Sequence, residues 1–313
     1  MRTRRVSLRI VWPGVLLCLA LTGGCGPGPA PSQSTGVGGG ALDVFVSISP
    51  LAFLAVRVGG EHVRVHTLLS PGQGPHTFTA TPKQVMALGE AAAYFHVGGF
   101  PFERELAKRV GASFPSLAVQ DLSQGIARRT DLAHGHAEES PAQHAGEEWD
   151  PHVWMSPPML ETMATAAAQT LKRIDPAHAD DYDQNLGGVL DDLEVLDREL
   201  REKLAPYKGD VFYIYHPALG YFAETYGLHQ KSVEVGGKKP APRQLQELIE
   251  QARKDGVRVI FVQPQFDQRA AESVAEAIEG SVAPVDPLRE DVLANLREIA
   301  TSLAEAFAAE KTP

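Results

Sequence analysis

An α/β fold of two lobes, each with a mainly parallel four-stranded sheet and joined by a long rigid helix, is predicted by two features of this sequence. In both halves, short β-branched runs alternate with longer helical periods, the mark of repeating β/α units. Between the halves runs one apolar stripe at three- and four-residue spacing, far longer than an ordinary connection. With 313 residues, 43% of them hydrophobic and 22% charged, the chain has material for two domains rather than one.

Residues 1–24 read as an export signal. Arg2, Arg4 and Arg5 precede a short apolar run over 10–21, and small residues lead into Cys25. The run is shorter than the about 20 residues a membrane-spanning helix needs. Residues 25–41 are rich in Gly, Pro and Ser without hydrophobic periodicity and read as a flexible tether. Of the two cysteines, Cys18 falls inside the signal run, so Cys25 is the single thiol of the processed chain and no intramolecular disulfide can form. Following Leu21-Thr22-Gly23-Gly24, Cys25 is expected to be lipidated, which places the protein in the periplasm or at the cell surface, on the membrane only through that anchor.

The N-terminal lobe spans 42–175. Strands are expected over 44–48, 63–69 and 91–97, with helices over 50–58, 82–88 and 102–110. A further helical run opens at Ser156-Pro157-Pro158, an N-cap followed by first-turn prolines. The linking helix, 176–206, carries Tyr182, Leu186, Val189, Leu193, Leu196, Leu200 and Leu204 on one stripe. Gly187 and Gly188 interrupt it and read as close packing or a mild bend. The stripe lasts only about three heptads, which favours packing against two lobes over a dimeric coiled coil and suits a monomer. In the C-terminal lobe, 207–313, strands are expected over 211–215, 232–235, 257–262 and 282–285, with helices over 219–226, 242–254, 267–279 and 289–308.

The net charge of −10 falls to about −14 once Arg2, Arg4, Arg5 and Arg9 are removed with the signal. That excludes nucleic acid as a natural partner and suits a cation ligand. Four residues of good metal-ligand type stand in loops: His76, His152, His216 and Asp286. His216 and Asp286 directly follow expected strands, at the carboxyl ends where open α/β sheets bind their ligands. His76 follows the second strand by a Gly/Pro-rich turn, and His152 precedes the Ser156 cap. By contrast His62, His66, His96, His178 and His229 fall in strands, surface turns or helix ends and read as structural.

The surroundings of these four residues resemble the ligand loops of the ABC-transporter solute-binding proteins for zinc and manganese. The segments are Gly74-Pro75-His76-Thr77-Phe78 with Thr81-Pro82, Asp150-Pro151-His152-Val153-Trp154, His216-Pro217-Ala218-Leu219-Gly220-Tyr221-Phe222, and Asp286-Pro287-Leu288. Gly236-Gly237-Lys238-Lys239-Pro240 and Val259 to Gln265 add agreement away from the ligands, and the similarity runs from about Val44 to Phe307. It implies a preformed metal site in the cleft between the lobes, delivery of the ion to an ABC transporter membrane permease, and no enzymatic activity. Two departures accompany it. Pro75 stands where some zinc receptors have a glutamate, which points to Asp286 as fourth ligand, and the disulfide that many carry in the second lobe cannot form here.

Three imidazoles and one carboxylate suit tetrahedral Zn2+ better than Mn2+, which prefers more oxygen and higher coordination. The resemblance agrees, since manganese receptors of the family typically have glutamate at the position of His216. A zinc-dependent hydrolase is the rival reading, but no His-Glu-x-x-His helix occurs and a fourth protein ligand would close the site. A lipoprotein adhesin is the third. The segment 132–148 holds His134, His136 and His144 among glutamates, lacks apolar periodicity, and is expected to be a mobile loop with a weak auxiliary metal site.

Overall fold

A computed structural model describes residues 40–130, 149–234 and 238–310. The signal, Cys25, nearly all of the tether, and the 132–148 segment with His134, His136 and His144 lie outside the described residues. No helix among the described residues is long and apolar enough to cross a membrane.

The N-terminal lobe runs β1 (Leu42–Val46), α1 (Ser49–Gly59), β2 (Val63–Thr67), α2 (Pro82–Gly89), β3 (Ala93–His96), α3 (Pro101–Ser113), β4 (Ala118–Asp121) and α4 (Pro157–Ile174). Helix α5 (Ala179–Leu204) follows. The C-terminal lobe then runs β5 (Val211–Ile214), α6 (Gly220–Tyr226), β6 (His229–Ser232), α7 (Pro242–Lys254), β7 (Val259–Val262), α8 (Arg269–Ala277), β8 (Ser281–Pro284) and α9 (Val292–Glu310). Each lobe has a four-stranded sheet, ordered β2-β1-β3-β4 and β6-β5-β7-β8, and every strand pair is parallel. In both sheets the chain order reverses beside the first strand. The carboxyl ends of β1 and β3, and of β5 and β7, therefore flank crevices of the kind that hold ligands.

Local chemistry starts the helices where the sequence places them. Thr81 and Gln84 form a reciprocal capping box ahead of Pro82, so two amide donors at the head of α2 are satisfied before the first turn closes. In α5, 26 residues long and about 39 Å at 1.5 Å per residue, Tyr182, Val189, Leu193, Leu196, Leu200 and Leu204 are buried and Leu186 is half-buried. One apolar cluster runs through the N-terminal lobe, α5, α9 and the near side of the second sheet, and a smaller one lies under α7 and α8. Each fully buried Leu or Phe contributes about 1.5–3 kcal/mol.

Three details differ from the sequence expectation. Strand β4 was not expected, because Ala118 to Asp121 is half-buried and carries two polar residues in four. The strand expected over 232–235 is β6, His229–Ser232: a polar edge strand with little propensity, followed by Val233 and Glu234 in a bend. Gly187 and Gly188 are exposed, and a Cβ on either would meet no atom within 4 Å, so close packing is not their role.

Candidate metal centre

His76, His152 and His216 come together where the lobes meet. One ring nitrogen from each can be chosen so that all three lie within 4.8 Å of one another. Ring centroids are 4.6 Å apart for His76 and His216, 5.1 Å for His152 and His216, and 5.6 Å for His76 and His152. His152 and His216 are buried, at 5% and 9% exposure, whereas His76 stands at the rim, exposed on its outer side while its ring packs against Phe100 and the other two imidazoles.

Each histidine is held by its own loop. His76 lies between β2 and α2, where Gln84 Nε2 donates to Leu68 O and Ser70 N to Gln73 Oε1, tying both ends of a segment that lacks regular structure. Its ring meets the edge of Phe100 at 5.1 Å. Behind Phe100, the buried Glu103 carboxyl accepts from Val97 N and Phe100 N, and burial pushes its pKa up to about 7.

His152 follows the antiparallel bridge between Thr130 and Trp149. Asp150 Oδ1 accepts from His152 N at 3.0 Å and from His152 Nδ1 at 2.7 Å, fixing backbone and ring together. Trp154 Nε1 donates to Pro287 O across the lobes. Gly220 opens α6 directly against Asp150, and a Cβ there would sit 2.3 Å from Asp150 Oδ2, so only glycine admits this approach.

His216 follows β5, and its backbone is clamped by one side chain: His216 N donates to Gln263 Oε1 at 3.1 Å, and Gln263 Nε2 donates to His216 O at 2.6 Å. Its Nδ1 donates to Glu234 Oε1 at 2.7 Å, and Phe266 stacks on its ring at 4.7 Å.

Carboxylates therefore hold the Nδ1 protons of both His152 and His216, which leaves each Nε2 as a bare acceptor. Those two Nε2 atoms face each other at 3.4 Å. Two lone pairs so aimed cannot bond to one another, and a cation between or beside them relieves the repulsion. Protons are a poor choice of cation here. Burial first, with the neighbouring rings, holds His76 well below its ordinary value of 6.5. Burial also lowers His216, and the proton on His152 would add to it, against the upward pull of Glu234. Pro75, Ala218, Phe266, Pro287 and Leu288 supply the apolar part of the surrounding pocket.

Asp286 lies two residues beyond β8, outside the group formed by the three histidines. Its Oδ1 accepts from Gln265 Nε2 at 2.7 Å and from Leu288 N at 3.0 Å. Asp150, Glu234, Gln263, Gln265 and Phe266 are the supporting residues that ligand-type reasoning passed over. A visible signal existed only for Asp150, an acid two residues before a candidate ligand. Glu234 is 18 positions from His216, and only the pairing of β6 with β5 brings it near.

Residues 44–306 match the family model described as zinc-uptake complex component A, periplasmic. A solved structure titled as a crystal structure of ZnuA is 34% identical, with a TM-score of 0.78, over 85% of this chain and 99% of that one. The high-affinity zinc uptake system protein ZnuA of Paracoccus denitrificans is 29% identical over 76% of this chain and 80% of its own length. The manganese-binding lipoprotein MntA of Bacillus subtilis is 26% identical over 75% of each.

Proposed function

Because the chain belongs to the zinc-uptake complex component A family of metal-binding receptors, we propose that it captures Zn2+ outside the cytoplasm through His76, His152 and His216 and delivers it to an ABC-type membrane importer. The observation that carries this reading is the pair of facing Nε2 atoms, each left as an acceptor because a carboxylate on the far side of its ring takes the Nδ1–H hydrogen bond. Asp286 is the proposed fourth ligand, turning its free Oδ2 to the ion while Oδ1 keeps its hydrogen bonds from Gln265 and Leu288. Cys25 is proposed as the lipidated anchor, and the chain acts as a monomer without catalytic activity.

Zinc is preferred on donor chemistry, since three imidazoles form a borderline-soft set. The likeness to the manganese-binding lipoprotein of Bacillus subtilis supports a second reading, a manganese receptor with the same site. Metal analysis of protein purified without added metal, followed by direct competition between the two ions, separates them. Co-purified zinc that resists displacement by excess manganese supports the first reading. Manganese displacing zinc at comparable concentration overturns it.

A further inference from the structure

We propose that Gln265 sets how many oxygens Asp286 can offer a bound ion, and through that number the preference for zinc over manganese. The proposal rests on the reading that Asp286 joins the three histidines.

Two donors, Gln265 Nε2 and Leu288 N, converge on the same carboxylate oxygen, Oδ1, and neither uses Oδ2. The turn that carries the carboxylate is anchored from both sides: Asn295 Nδ2 donates to Asp286 O at 2.9 Å, and Trp154 Nε1 donates to Pro287 O at 2.7 Å. Gln265 lines the pocket beside the histidines, whereas Asp286 does not. It reaches Asp286 from the loop on which Gln263, two residues earlier, clamps the His216 backbone. Two glutamines separated by Pro264 thus hold a histidine ligand and the proposed carboxylate ligand on one rigid stretch.

The kind of donor matters. A lysine or arginine at 265 would neutralise the carboxylate, but an amide orients it and leaves its charge for the cation. With Oδ1 held by two hydrogen bonds, Asp286 can bind through Oδ2 alone. Three nitrogens and one oxygen then complete a tetrahedral set, which zinc accepts and manganese does not favour. Freed of Gln265, the carboxylate could turn both oxygens to the ion and raise the coordination number. Gln265 is in this sense a positioning residue that acts through Asp286.

The test uses Gln265→Met, which keeps length and bulk and removes the donor, beside His152→Ala and Asp286→Ala as controls. Zinc and manganese affinities are measured by competition with a chelating dye, and Co2+ serves as a spectroscopic probe because tetrahedral sites absorb far more strongly than five- or six-coordinate ones. The expected result is weaker Co2+ absorption in Gln265→Met, zinc binding about 10- to 100-fold weaker, in the range of outer partners of a metal site, and manganese binding unchanged or tighter. An unchanged Co2+ spectrum overturns the proposal. So does an equal loss for both ions with a lowered melting temperature, which marks a merely structural residue. If His152→Ala abolishes zinc binding while Asp286→Ala and Gln265→Met are both silent, the histidine centre stands and the role of Gln265 falls. Tight zinc binding in His152→Ala would remove the centre itself.

Discussion

Two places among the described residues bring paired histidine rings together with carboxylates, and only the one at the cleft forms a group that could hold a metal ion. At the cleft, His152 and His216 turn Nδ1 to Asp150 and Glu234 and aim Nε2 at each other from buried positions. At the start of α5, His62 and His178 stack flat, 3.9 Å apart at 18°, with His62 Nε2 on the exposed Asp181 and His178 Nδ1 on Asp175, which also accepts from Tyr182 Oη. Parallel rings point their nitrogens sideways rather than at a common point, so this group fastens the turn after α1 to α5. Residue type alone does not separate the two groups. The direction of the free lone pairs and the exclusion of water do.

The largest effect is expected from the cleft histidines themselves. His152→Ala or His216→Ala should weaken zinc binding beyond the roughly 100-fold that outer partners cost, while His62→Ala and His178→Ala leave it unchanged. Isothermal titration of the four variants checks this, and zinc loss in the α5 pair equal to that in the cleft would erase the distinction.

The next effect sharpens the role of the carboxylates. Asp150→Asn and Glu234→Gln keep the shape but no longer hold the Nδ1 proton as an ionised acceptor, and each should cost about 10- to 100-fold in zinc affinity. Gly220→Ala should act in the same direction, because its methyl group would displace Asp150. Wild-type affinity in all three variants would show that the rings need no such support.

Acid should separate the cleft from the rest of the surface. An unfolded histidine gains its proton near pH 6.5, whereas burial and neighbouring rings hold folded His76 and His216 below that value. The unfolded chain therefore binds more protons in this window, and the stability of the metal-free protein should fall as pH drops below about 6.5. Buried His96 is lowered as well and adds to the slope. Thermal unfolding at pH 7.5 and 5.5 should show a smaller acid-induced drop in His216→Asn than in the wild type. An equal drop in both would mean that His216 does not resist protonation. Bound zinc should be released only at lower pH, where the folded nitrogens themselves take up protons in competition with the metal.

The smallest effect concerns the fastening at α5. Tyr182→Phe removes the hydroxyl that donates to Asp175 at 2.7 Å and should cost about 1 kcal/mol of stability. Zinc affinity should not move. Urea denaturation with zinc titration on the same sample checks both halves of that statement.

Much of the architecture was legible in order along the chain. Two parallel α/β lobes and a long connecting helix follow from local periodicity, because strand and helix repeats are written within a few residues of each other. Strand β4 and the position of β6 escaped, since edge strands of polar or half-buried residues carry little pattern. Three candidate ligands could be singled out as histidines in loops, one directly after a strand end and one just before a helix that opens on two prolines. Their meeting could not be derived from spacing, because His76, His152 and His216 are separated by 76 and 64 positions and come from different lobes.

The sequence by itself determined which residues could serve as ligands and which lobe each belongs to, for those properties are local. Tertiary structure alone decided which nitrogen His216 presents. That choice depends on Glu234 reaching the far side of its imidazole, and on Gln263 and Phe266 holding it from a neighbouring strand end, whereas the partner of His152 is its near neighbour Asp150. The physical reason is range: backbone preference acts over a few residues, whereas a hydrogen bond that sets a tautomer requires packing two sheets and a 26-residue helix into place first.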